Sequence, residues 1–175
     1  MKLKLSLFLC AAIYFFNAAY ASETWHIIDN VNLVIHEAGH TITMFFGEFI
    51  YIAGGSLLQI IFPLLFAFYF WRRSEVISTG IMLLWTGESM VGVGIYAADA
   101  IDMQLPLLGG DGVIHDWNYL LTHTGLLAHA HGIGAGIISV GYVVMSIAVL
   151  LVLTHAQKKF SERVVPETDA EKSRA

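Results

Sequence analysis

Apolar stretches separated by short polar breaks run the length of this chain. Residues 5–16, 56–71, 76–98 and 132–153 are almost wholly apolar, and residues 32–46 form a fifth run broken by three ionisable side chains. A helix needs about 20 apolar residues to cross a bilayer; residues 76–98 and 132–153 reach that length and residues 56–71 fall slightly short. After the run at 32–46 comes Gly47-Glu48, then Phe49-Ile50-Tyr51-Ile52-Ala53 and Gly54-Gly55, a β-branched and aromatic segment followed by a glycine pair. That segment predicts a short extended stretch and a turn. The pattern predicts an all-α integral membrane protein, a bundle of about four to five membrane helices with a short extended, re-entrant segment after the 32–46 helix.

The breaks define the remaining organisation. Residues 1–21 have a charged start at Lys2 and Lys4, an apolar centre and Ala19-Tyr20-Ala21 at the end. This is the form of a cleavable signal peptide, or of an uncleaved first membrane helix. Residues 22–30 are short and polar, with Trp25 suited to an interface and Asp29 or Asn30 placed to cap a helix beginning near Val31. Residues 22–155 form one membrane domain, in which Pro63 is expected to kink its helix. Glu88 interrupts the third run, as a neutral group bonded to another helix or as part of a polar cavity. The glycines at 132, 134, 136 and 141 suit close helix packing. Residues 156–175 read as a disordered charged tail.

Composition reinforces the membrane reading. The chain is 57% hydrophobic and 13% charged, with a mean hydropathy of +0.67, above the apolar share of soluble domains. A net charge of −5 with 9 Lys and Arg provides no basic surface for nucleic acid. The single cysteine, Cys10, lies in the first apolar run, so any metal further along must be held by histidine and carboxylate. Placing Arg72-Arg73 and Lys158-Lys159 on the cytoplasmic side, as the positive-inside rule asks, puts the C-terminal tail in the cytoplasm and residues 99–119 outside. A bacterial-type inner or plasma membrane is the expected location. The 31–55 segment must then enter and return without a net crossing.

Within the 32–46 run stands His36-Glu37-Ala38-Gly39-His40. Positions four apart share a helix face, so His36 and His40 can offer imidazole nitrogens to one metal ion. Glu37 lies one step round the helix, where its carboxylate can take a proton from an attacking water. A third ligand is expected from residues 99–119, where Pro106, Gly109-Gly110 and Gly112 break any regular helix ahead of His115-Asp116. Asp116 is the candidate and His115 its competitor, since either completes three protein ligands with an open position. His129 and His131, two apart, do not share a helix face.

These residues resemble the site-2-protease family of intramembrane zinc metallopeptidases. The resemblance rests on His36-Glu37-Ala38-Gly39-His40, Phe46-Gly47, the segment 48–53 with its Gly54-Gly55 turn, and an aspartate on a later segment. It covers residues 31 to about 117, with the HExxH portion as its specific part. It implies a Zn2+ ion held by His36, His40 and Asp116, Glu37 as general base, and a transmembrane segment of another membrane protein as substrate, held extended near residues 48–53. The family's aspartate usually belongs to an Asp-Gly pair. Asp111-Gly112 has that form while Asp116 precedes Trp117, so Asp111 is a further rival ligand. The chain has no room for the accessory peptide-binding domain of many members, which makes it a minimal or divergent one. The functions that compete are a non-catalytic metal-binding membrane protein, structural or sensing, and a small metal or proton carrier using Glu88 and the scattered histidines.

Overall fold

The computed structural model describes residues 2–21, 24–105 and 113–172, and among these every regular element is helical. In chain order they are α1 (Lys2–Tyr20), α2 (Ile27–Thr43), a 3-10 turn (Met44–Phe46), α3 (Glu48–Arg72), α4 (Val76–Ala98), α5 (Asp116–His123), a second 3-10 turn (Leu127–His129) and α6 (Ala130–Lys172). Among the described residues four helical stretches are long and apolar enough to cross a membrane: Leu3–Tyr20, Glu48–Arg72, Val76–Ala98 and Leu127–Glu162. The all-α membrane bundle expected from the apolar pattern is the fold observed.

The core forms where α1, α4 and α6 meet, around the buried Phe8, Phe15, Leu84, Val91, Met145 and Val152. Glycine permits the close crossing of α4 and α6. A Cβ on Gly94 would stand 2.8 Å from the Gly134 carbonyl oxygen, and one on Gly141 would stand 2.6 Å from that of Gly87. Small residues at a helix contact let backbones approach when lipid offers no hydrophobic drive between helices. Of the four glycines expected to pack, Gly134 and Gly141 do so, whereas Gly132 and Gly136 face open space. α1 contributes Phe8, Ala12, Phe15 and Ala19 to this core.

The extended segment expected at residues 49–53 is helical: α3 begins at Glu48 and continues through Gly54-Gly55 and Pro63 to Arg72. The β-branched and aromatic composition there fits a lipid-facing helix as well as a strand, and Phe49, Ile50 and Tyr51 are exposed. Among the described residues no strand lies alongside to pair with it, and in an apolar setting a helix satisfies its own backbone groups. The turn falls earlier, at Gly47, whose φ of +88° suits a residue without a Cβ. Two boundaries also differ. α2 starts at Ile27, four residues before Val31, because Asp29 sits in its first turn and accepts a hydrogen bond from the His26 N–H at 2.6 Å. α6 carries its helix to Lys172, through most of the expected tail.

The helices also settle how the chain reaches the site. The Ile28 N–H donates to the Tyr14 hydroxyl at 3.1 Å, so α2 starts beside the middle of α1. It then runs past Trp85, Glu88 and Ser89 to Tyr96, parallel to α4. α1 and α2 thus carry the chain once from one end of the bundle to the other, and α3 carries it back. Lys4, Ser74, Glu75, His155 and Lys159 line one recess, so the basic clusters gather at one end and Asp99 and Asp116 lie at the other. The expected helix with an extended return is replaced by a staggered helix pair followed by a full-length helix.

Candidate metal centre

α2 carries polar side chains along one face. Asn32, His36 and His40 follow each other at intervals of four, which stacks them. The lowest, Asn32, is buried and pinned to α4: its Nδ2 donates to Glu88 Oε2 at 2.9 Å, and its Oδ1 accepts from Trp85 Nε1 at 2.8 Å and Ser89 Oγ at 3.3 Å. Of the two roles open to Glu88, the hydrogen bond to another helix is the one observed.

One and two turns above, the imidazoles are each held at Nδ1. His40 Nδ1 lies 2.8 Å from the Tyr51 carbonyl oxygen and His36 Nδ1 lies 3.2 Å from Gln59 Oε1, both on α3. An oxygen acceptor requires Nδ1 to carry the proton, which directs the Nε2 atoms at a common point. At that point is Asp116 Oδ2, 2.9 Å from His36 Nε2 and 3.3 Å from His40 Nε2. Ligating atoms of the three residues all lie within 4.8 Å of one another.

Asp116 reaches this position because α5 is anchored on several sides. Leu121 joins a small core with Ala100 and Ala130. Trp117 Nε1 donates to Ser56 Oγ at 3.1 Å, and Asn118 Nδ2 donates to the Ala100 carbonyl at 2.8 Å. Asp116 occupies the first turn of α5, where the unpaired amides of a helix start favour a carboxylate. Burial opposes its ionisation, yet hydrogen bonds from His36 and His40 outweigh burial and hold the carboxyl below its usual range.

His115 points away from the two imidazoles. Its Nδ1 caps α5 by accepting from the Asn118 N–H at 3.3 Å, and its Nε2 lies 3.3 Å from Asp99 Oδ2. The side chain expected to compete for the third position is thus engaged elsewhere, as the cap of this helix. Asp111 lies outside the described residues. Glu37 is exposed, and its carboxylate takes no hydrogen bond from the described residues.

The donor set fits a divalent transition metal such as zinc. With both Nδ1 atoms protonated, each Nε2 meets the carboxylate either with a second proton, as an imidazolium, or with a lone pair that a cation placed between them would take. Ligands at zinc distances in tetrahedral geometry stand about 3.3 Å apart, close to the 2.9 and 3.3 Å observed. Space is kept for it by Gly55, where a Cβ would lie 2.5 Å from His36 Nε2 and 2.7 Å from His40 Nε2. Gly39 packs on Gly54 and Gly55 and brings α2 this close to α3. Gly54-Gly55 is therefore a helix contact facing the site, in place of the expected turn.

Asn32, Gln59 and Tyr96 were not singled out by the sequence, and Gly55 was read only as part of a turn. Asn32 had a signal in its spacing from His36, and Gln59 in being polar within an apolar run. Gly55 and Tyr96 carried none, since their roles depend on a neighbouring helix. The chain matches no protein-family model, no curated protein and no solved structure. What the fold and geometry define is an all-α bundle with membrane-length helices and a candidate metal centre at one end.

Proposed function

We propose that the protein is an intramembrane zinc metallopeptidase, similar to the site-2-protease family, that hydrolyses peptide bonds in or near a transmembrane segment of another membrane protein. The observation that carries this is the convergence of both HExxH Nε2 atoms on Asp116, with the exposed Glu37 next to His36 on α2 and its carboxylate without a hydrogen bond from the described residues. His36, His40 and Asp116 would hold the ion. Zinc supplies Lewis-acid chemistry, lowering the pKa of water towards neutrality and polarising a carbonyl. Glu37 takes a proton from water as the water oxygen bonds to the peptide carbonyl carbon, then delivers it to the departing nitrogen. The C–N bond breaks, leaving a carboxylic acid and an amine. Because residues 49–53 are helical, they offer no strand edge to hold a substrate extended.

The site lies at the end of the bundle opposite Lys4 and Lys159. With that basic end in the cytoplasm, cleavage takes place towards the outer side of the membrane.

Replacement of Glu37 by Gln tests this reading. The variant should keep one equivalent of zinc, measured by elemental analysis of purified protein, and lose cleavage of a transmembrane reporter peptide by several orders of magnitude. His36→Ala and Asp116→Ala should lose the metal as well. Zinc retention with undiminished biological activity in Glu37→Gln would instead identify a structural or sensing metal protein.

A further inference from the structure

Tyr96, in the last turn of α4, is partly exposed and borders the candidate metal centre. Its ring packs edge-on to His36 at 6.0 Å between centroids and tilts against His115 at 4.3 Å. Its hydroxyl oxygen accepts the Asp116 N–H at 3.1 Å, one of the amides that a helix start leaves without an internal partner. A phenol accepts through oxygen and donates one proton. The accepting role is filled here, and among the described residues no group receives the proton.

That unused donor borders the place where the chemistry would occur. Asp116, whose amide fixes the phenol oxygen, also presents its carboxylate to both imidazoles. A carbonyl oxygen at the centre gains negative charge as water adds to the adjacent carbon. A fixed neutral donor at that oxygen acts most strongly in the transition state. The Asp116 amide and the two packed rings supply the fixing.

We infer that Tyr96 is a catalytic residue whose hydroxyl donates a hydrogen bond to the carbonyl oxygen of the scissile peptide as that oxygen becomes anionic. The phenol keeps its proton throughout, so the water-derived proton still passes through Glu37. This role rests on the peptidase reading and adds to it a stabiliser supplied by α4.

The test compares wild type, Glu37→Gln and Tyr96→Phe as full-length proteins in nanodiscs, using a fluorogenic transmembrane peptide and a phosphinic analogue of it. The phosphinic group imitates the tetrahedral addition product. Phenylalanine preserves the ring contacts with His36 and His115. Tyr96→Phe should keep one zinc per chain and an unchanged KM, while kcat falls on the order of 100- to 1000-fold. Calorimetric affinity for the phosphinic peptide should fall by a similar factor. Wild-type kcat in Tyr96→Phe overturns the inference. Loss of zinc together with activity overturns it too, since Tyr96 would then serve only to position Asp116. A wild type that cleaves no faster than Glu37→Gln defeats the peptidase reading itself, and the Tyr96 role with it.

Discussion

His36 and His40 show how far residue identity reaches and where it stops. Their spacing and the neighbouring Glu37 were visible as a one-face pattern, because helical periodicity is a property of the sequence alone. Which nitrogen each ring turns to the site was not visible. It depends on Gln59 and the Tyr51 carbonyl of α3, and outer hydrogen bonds of this kind fix the orientation of metal-binding imidazoles. Gly55 gives the sharpest test at this scale. A methyl there meets both Nε2 atoms within 2.7 Å, so Gly55→Ala should lose zinc binding while circular dichroism still reports a folded helical protein. Tight zinc binding in that variant would displace the centre from between α2 and α3.

At the scale of elements, α2 is held against α4 by the buried cluster of Asn32, Trp85, Glu88 and Ser89. Glu88→Leu removes the acceptor for Asn32 Nδ2 and leaves a buried donor unpaired, a loss of about 1–3 kcal/mol. Glu88→Gln retains an oxygen acceptor. Thermal unfolding in detergent should therefore show a clear fall in Tm for Glu88→Leu and a small one for Glu88→Gln. Peptide cleavage should survive in Glu88→Gln, whereas a proton carrier running through Glu88 would stop. The apolar runs announced α3, α4 and α6, but the local reading of residues 49–53 as extended was overridden. β-propensity expresses fit to a neighbouring strand, and α3 has helices beside it.

Across the whole molecule, Lys4, His155 and Lys159 share one end with the α3–α4 turn, while the candidate centre lies at the other. Topology mapping should place the chain start, residues 73–75 and residue 159 on one side of the membrane, and residues 47 and 103 on the other. Single cysteines at those positions in a Cys10→Ser background, labelled by an impermeant maleimide, read this directly. Labelling of residues 47 and 75 from the same side would refute the arrangement. Apolar run length by itself determined that the protein is a helical membrane bundle, because hydrocarbon requires every backbone group to be satisfied within a helix. The sequence also supplied two ligand candidates one turn apart. Only tertiary structure chose Asp116 over His115: the two are adjacent in sequence with similar ligand chemistry, and the packing of α5 turns one to the imidazoles and the other to Asp99. Tertiary structure likewise staggered α2 beside α1, since Tyr14, Asn32 and Glu88 find partners only when distant segments meet.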